Sequence, residues 1–460
     1  MTPWCHEPLE RRSEGAPFGE DAVYGDHMTA ADRAESTALL TDHYELTMLA
    51  GALRDGTADR RCVFELFARR LPNGRRYGVV AGIGRLLDAI EKFRFNDAEI
   101  HRLRASGVVD EDTLGWLADY RFSGDILGYP EGELYFPGSP VLTVTSSFGE
   151  GVLLETLALS ILNHDCAVAS AAARMVSAAN GRGLIEMGTR RTHEEAAVAA
   201  ARCAFLAGFT ATSNLEAGRR YGIPTAGTCA HAFTLLHDSE EDAFRAQVEA
   251  LGVNTTLLVD TYDITQGVQT AVEVAGSELG AVRIDSGDLG VLARQARTQL
   301  DELGAPATRI VVSGDLDEYA IAALRAEPVD AYGVGTSLVT GSGAPTAGMV
   351  YKLVEVEGRP VAKRSSHKES RGGQKAALRR HKPTGTATEE VVYRLAGEQP
   401  ERQDGDVELQ IPLVRAGQRA ADLPTLEDGR ERLRQALISV PWEGLALSQG
   451  ESAIRTVFLP

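Results

Sequence analysis

Within seven residues, "RIDSGDL" at Arg283 to Leu289 assembles an arginine, two aspartates, a serine and a glycine. At a strand end such a set has defined uses. Arg283 can clamp a carboxylate through two parallel N–H bonds, and Asp285 or Asp288 can hold ribose hydroxyls or a magnesium ion. Ser286 and Gly287 offer a hydroxyl and open backbone N–H groups. The plain alternative is an internal Arg–Asp pair. "VVSGDL" from Val311 and "GVGTS" from Gly333 repeat the theme, because N–H groups flanked by glycine and hydroxyls form an anion nest. Two such runs in succession point to a phosphorylated sugar. "EMGTRR" adds Arg190 and Arg191, whose like charges call for an anion between them, and "DTYD" adds Asp260 and Asp263. Finally, "IPTAGTCAHAF" ends a run of small residues on His231. A lone histidine is commonly a satisfied packing residue, but its place at the mouth of this polar ring makes His231 a candidate for chemistry.

These residues need a frame that brings strand ends together. From Gly151, seven strand-like runs alternate with helix-length spacers: "GLIEMGTRR", "GFTATSN", "PTAGTCAH", "TTLLVDTYD", "AVRIDSGD", "RIVVSGD" and "AYGVGT". That rhythm implies repeated βα units and a parallel sheet. A doubly wound nucleotide fold announces itself by G-x-G-x-x-G after its first strand. Here Gly333 and Gly335 are followed by Leu338 and lie at the wrong end of the series. A barrel draws its site from the carboxyl ends of most strands, where the polar clusters sit in every unit. The expected fold is therefore α/β, an irregular and incomplete parallel α/β barrel over 151–345. Before it, 37–150 reads as an α+β domain. It opens on a helix whose Asp42 and Glu45 resemble a capping box, with Leu46, Leu49, Ala50 and Leu53 on one face and Tyr44 in the first turn. Residues 1–36 are polar and aperiodic, a flexible extension. Region 346–460 holds a strand pair, a basic segment and a final amphipathic helix at "LEDGRERLRQALISV", and is expected to pack back on the first domain.

The net charge of −18 opposes binding to nucleic acid or an anionic membrane. Against that background "KRSSHKESRGGQKAALRRHK", Lys363 to Lys382, carries eight Lys or Arg against the single Glu369. It reads either as a solvated loop or as an anion-binding one. The five cysteines show neither C-x-x-C nor zinc spacing, which favours a reducing compartment. No apolar run is expected to reach membrane-spanning length, so a cytoplasmic location follows.

Taken together, "LLTDHYELTM", "EMGTRRTH", "TSNLEAGRRYGIP", "GTCAH", "RIDSGDL" and "GVGTSLVTGSGAPTAGMVYKL" resemble the nicotinate phosphoribosyltransferase family, over about Thr37 to Lys375. The resemblance implies a type II phosphoribosyltransferase-like barrel that condenses nicotinate with 5-phosphoribosyl 1-pyrophosphate and couples the reaction to ATP hydrolysis, with Mg2+ present. It places the family's phosphorylated histidine on His231. It further implies that Tyr44 and Thr228 contact nicotinate, that Arg283 pairs its carboxylate, and that Arg190 and Asp285 hold base and ribose. Ser313, Gly314, Gly335 and Thr336 would hold the phosphate. The metal ligands are not implied. A homodimer is expected, each site being completed by Tyr44 of the other chain. Two positions depart from the family pattern: Met187, where an aromatic is common, and Ala232, where relatives often carry a polar residue. A nicotinamide phosphoribosyltransferase and a non-catalytic sugar-phosphate-binding barrel remain as alternatives.

Overall fold

In the computed structural model, which describes residues 36–363 and 370–460, six of the seven expected runs form strands. In chain order they are Gly183–Glu186, Ala211–Thr212, Thr256–Leu258, Ala281–Ile284, Arg309–Ser313 and Ala331–Val334. All their pairings are parallel, in the spatial order second, first, sixth, fifth, fourth, third. The circle therefore stays open between the second strand and the third. The remaining run, "PTAGTCAH", follows the second strand on that side and forms no strand of its own. Only Thr225 bridges to Thr212, through Thr212 N–H to Pro224 O at 3.0 Å and Ala226 N–H to Thr212 O at 2.9 Å. Pro224 has no N–H to give a ladder, and Gly227 has no side chain to pack. Apolar side chains such as Val282, Ile284, Ile310, Val312, Tyr332 and Val334 are buried in one core cluster with the barrel helices. Their alternation leaves Arg283 on the opposite face of its strand.

The first helix, His43–Arg54, has the capping box its sequence suggested: the Asp42 side chain receives backbone N–H, and Glu45 reaches back to the Asp42 N–H. The N-terminal and C-terminal parts share one seven-stranded sheet. Its order is Arg359–Pro360, Met349–Val356, Arg61–Ala68, Leu142–Ser147, Asp125–Gly128, Ile411–Arg415, Gln418–Arg419. The C-terminal region thus packs back on the first domain by strand pairing as well as side-chain contact. The closing amphipathic helix is Leu426–Ser439.

Two expectations need correction. Residues Phe148–Ala179 are long and apolar enough to cross a membrane by length and composition, contrary to the reading of the sequence. The long helix Glu155–Ala179 within them is a core element: Asp165 and Arg174 on it are buried and paired, with Arg85 and Glu318. The basic segment is not a loop throughout. Lys375–His381 is a strand paired with Ala387–Arg394, and two of its cations are buried in ion pairs, Lys375 with Glu65 and Arg379 with Glu133 and Glu390. Residues 364–369 of that segment, and 1–35 of the expected extension, lie outside the described residues.

Candidate active site at the barrel mouth

Arg283 is the penultimate residue of the fourth strand. Its guanidinium donates to Thr228 Oγ1 and, at 3.3 Å, to the Cys229 carbonyl, both on the "PTAGTCAH" run. Among the described residues no carboxylate comes within 4.0 Å of it, and its buried Nε has no partner. The internal Arg–Asp pair considered from sequence is therefore absent. Burial lowers the pKa of this guanidinium; Asp285 and Asp260 work against that shift, and Arg190 adds to it.

A web of carboxylates and hydroxyls lies beside it. The Asp260 side chain is 1% exposed. Its Oδ2 accepts from the Asp285 N–H at 2.9 Å and from Ser286 Oγ at 2.7 Å, while its Oδ1 is buried without a partner. His231, at the start of helix His231–Leu236, places Nε2 3.8 Å from that Oδ1 and Nδ1 3.1 Å from Thr261 Oγ1. Its side chain is 40% exposed, so it is not a packing residue. Asp288 and Asp263 are instead helix caps, bonded to Val291 N–H and Gln266 N–H.

At the fifth strand's end Ser313 donates to Asp285, so its single proton is committed to orienting that carboxylate. Gly314 has φ +115°, and a Cβ there would stand 2.3 Å from the Asp285 carbonyl oxygen, so only glycine lets the two turns approach. Asp315 follows in a left-handed conformation at φ 48°. At the sixth strand's end Gly335 and Thr336 open the short helix Thr336–Val339, with Thr336 exposed. Met187 fills the space over Gly333, where a Cβ would meet its sulfur at 2.6 Å. Arg190 and Arg191 form a short 3-10 turn after the first strand, exposed and without ion-pair partners among the described residues. Ala232 is exposed on the His231 helix.

Tyr44 stands apart from this ring. Its neighbours are Glu155, Glu45 and Thr156, and burial followed by the charge of Glu155 raises its phenol to about 12. Tyr44 and Met48, one helical turn apart, are 43% and 38% exposed, and Leu40, just before the helix, is 60% exposed. Glu240 escaped the reading of the sequence because nothing in "DSEEDAF" distinguishes it from an ordinary first-turn acid. Its Oε1 is buried without a partner, and burial with the charges of Asp260 and Asp263 raises its carboxyl to about 7.

Comparison with known proteins agrees with this architecture. Residues 39–163 match the family model for the nicotinate phosphoribosyltransferase N-terminal domain, and residues 168–342 match that for the quinolinate phosphoribosyl transferase C-terminal domain. Nicotinate phosphoribosyltransferase pncB1 of Mycobacterium tuberculosis is 63% identical over 98% of this chain and 99% of its own length. The human nicotinate phosphoribosyltransferase is 32% identical over 75% of this chain and 77% of its own. Among solved structures, human nicotinic acid phosphoribosyltransferase superimposes with a TM-score of 0.78 at 27% identity, covering 91% of this chain and 97% of that one. The nicotinate-nucleotide pyrophosphorylase of Pyrococcus furiosus shares the fold, with a TM-score of 0.73 at 24% identity over 87% and 94% of the two chains.

An open parallel barrel whose polar residues ring the carboxyl ends of its strands, built against a mixed sheet, defines a type II phosphoribosyltransferase. At 63% identity over nearly its whole length to one of its members, the chain belongs to the nicotinate phosphoribosyltransferase family.

Proposed function

We propose that the protein condenses nicotinate with 5-phosphoribosyl 1-pyrophosphate, forming nicotinate mononucleotide and pyrophosphate for NAD synthesis. Arg283 carries this reading. A desolvated guanidinium that has neutral hydrogen-bond partners but no carboxylate is suited to an anionic aromatic acid, and it favours that acid over the uncharged amide. Thr228 and Cys229 fix its plane. In the reaction the pyridine nitrogen forms a bond to the sugar's C1 as the C1–O bond to pyrophosphate breaks. Asp285, held by Ser313, is placed to hold the ribose and to favour the positive charge that develops on it. Arg190 supplies a cation for the departing charge.

His231 is proposed as the acceptor of a phosphoryl group from ATP. Its exposed ring, set between Thr261 and the unpartnered Asp260 Oδ1, supports that role. Magnesium fits the oxygen donors of Asp260 and Asp285, and bound there it would neutralise pyrophosphate charge. No cluster of three or more His, Cys, Asp or Glu set out for a metal occurs among the described residues, so substrate oxygens would complete its shell. A homodimer with shared sites is supported by exposed Leu40, Tyr44 and Met48 and by exposed Leu215, Leu235, Leu236 and Tyr262 on the barrel. A cytoplasmic location is supported by four unpaired cysteines among the described residues.

Incubating the protein with magnesium, the activated sugar phosphate and either nicotinate or nicotinamide, with and without ATP, tests the reading. Nicotinate mononucleotide should be the product. Turnover of nicotinamide at an equal rate would remove the role given to Arg283.

A further inference from the structure

Behind the sixth barrel strand, the segment from Gly335 to Ala344 folds on itself. Thr340 N–H donates to the Thr336 carbonyl at 3.1 Å, Ser342 N–H to Ser337 at 2.6 Å, and Ala344 N–H to Gly341 at 3.1 Å. Its front presents Gly335 and Thr336 to the site. Its back is held by the N-terminal domain. Arg75, from the connection between strands Arg61–Ala68 and Gly78–Val79, donates through one guanidinium nitrogen to the Gly341 carbonyl. Through the other it donates to the Ala167 carbonyl of the long helix at 3.2 Å. Asn73 Nδ2 donates to the Gly343 carbonyl at 3.1 Å, and Ser342 Oγ donates to Glu318, which pairs with Arg174 at 2.9 Å.

The charges in this cluster do not balance. Arg75 is 5% exposed, Arg174 6% and Glu318 2%. Arg174 takes Glu318, and no carboxylate lies within 4.0 Å of Arg75 among the described residues. Burial, and then the neighbouring Arg174, lower the pKa of Arg75, whereas Glu318 acts the other way. An uncompensated buried cation costs stability, which backbone carbonyls only partly offset. A neutral side chain of similar length would fill the same space without that cost. Arg75 meets this segment at Gly341, whose N–H donates to the Leu338 carbonyl while the Leu338 N–H donates to the Gly335 carbonyl, so its bond is tied through the segment to the turn read above as the phosphate contact. A nearby positive charge and a rigid backbone both favour an incoming dianion.

We propose that Arg75 is a positioning residue for the sugar's phosphate: pinned to the Gly341 carbonyl, it holds the Gly335–Thr336 turn in place and supplies a nearby unbalanced positive charge. The inference rests on the phosphate role of Gly335 and Thr336. It predicts that Arg75 governs affinity for the phosphorylated sugar and leaves recognition of the pyridine acid alone.

The test uses the full-length protein with Arg75→Met and Arg75→Lys. Ribose 5-phosphate binding is measured by calorimetry, and KM for each substrate and kcat by steady-state kinetics. In Arg75→Met the Kd for ribose 5-phosphate and the KM for 5-phosphoribosyl 1-pyrophosphate should rise about tenfold, the scale of one charge-assisted hydrogen bond. KM for nicotinate and kcat should stay within about twofold. Arg75→Lys keeps the charge but cannot bridge both carbonyls, and should recover part of the sugar affinity. It also carries the test if Arg75→Met fails to fold. Sugar constants that do not move in a folded variant, or that move together with the nicotinate KM, would overturn the proposal. The calorimetry decides it even if the wild-type protein fails to turn over nicotinate, an outcome that would sink the proposed reaction and not the role of Arg75.

Discussion

Replacing Arg283 by methionine separates recognition from stability. In the wild type the guanidinium is desolvated, carries no counter-charge and bonds only to Thr228 and the Cys229 carbonyl. Its lowered pKa means that the charged form is less favourable in the folded chain than in the unfolded one. At neutral pH both forms are charged, so the residue costs stability. Methionine fills similar space without the charge, and Tm should hold or rise. Catalysis should move the other way. Removing one partner of a largely desolvated charge pair costs about 3–5 kcal/mol. At about 1.4 kcal/mol per decade, kcat/KM for nicotinate should fall roughly 10²- to 4 × 10³-fold. Nicotinamide has no carboxylate to lose, so its kcat/KM should change far less and the preference for the acid should collapse. Steady-state kinetics with both bases and a thermal melt read all three quantities. Equal losses for the two bases together with a lower Tm would refute the reasoning, because they would mark Arg283 as a structural residue.

Three further outcomes follow from the same geometry. His231→Ala should abolish stimulation by ATP and leave slow ATP-independent turnover; unchanged ATP coupling in that variant would remove the phosphoryl-acceptor role. Glu240, raised from 4.5 to about 7, binds a proton in the folded chain that the unfolded chain has already lost, so its contribution to stability is present below about 4.5 and lost as pH rises through about 7. Glu240→Gln should therefore gain in Tm over the wild type across that window, and a Tm difference that does not vary between pH 5 and 8 would contradict the burial argument. If each site takes Tyr44 from the partner, mixing Tyr44→Ala and Arg283→Met chains under exchange should restore about a quarter of wild-type activity, since half the dimers then carry one intact site. No recovery after verified exchange would place Tyr44 and Arg283 in the same chain's site, or outside it.

Local signals made much of the fold legible. The Asp42–Glu45 capping box located the first helix, and short apolar runs closed by polar or glycine residues and separated by helix-length spacers located the strands that end at Glu186, Leu258, Ile284, Ser313 and Val334. The run "PTAGTCAH" had the composition of those strands yet forms only one bridge. Whether extended chain joins a ladder depends on a neighbour presenting N–H and C=O groups in register, which composition does not report. Lys375 and Arg379 read as charges of a solvated or anion-binding loop for a related reason. Their carboxylates come from a distant strand (Glu65), from the turn before another (Glu133) and from across a hairpin (Glu390).

By itself the sequence determined which chemical groups the protein owns and on which strand ends they fall, because side-chain type and period-two alternation are local properties. It therefore placed Arg283, Asp285 and Gly314 at one end of one sheet, whereas His231, expected at a strand end, opens a short helix after a run that makes a single bridge. Tertiary structure alone decided how those groups are spent. Ser313 gives its proton to Asp285, Asp288 becomes a helix cap, Asp260 keeps a free buried oxygen beside His231, and Tyr44 stands outside its own chain's ring. Hydrogen-bond partners and desolvation are set by elements far apart along the chain, and they exist only once those elements pack.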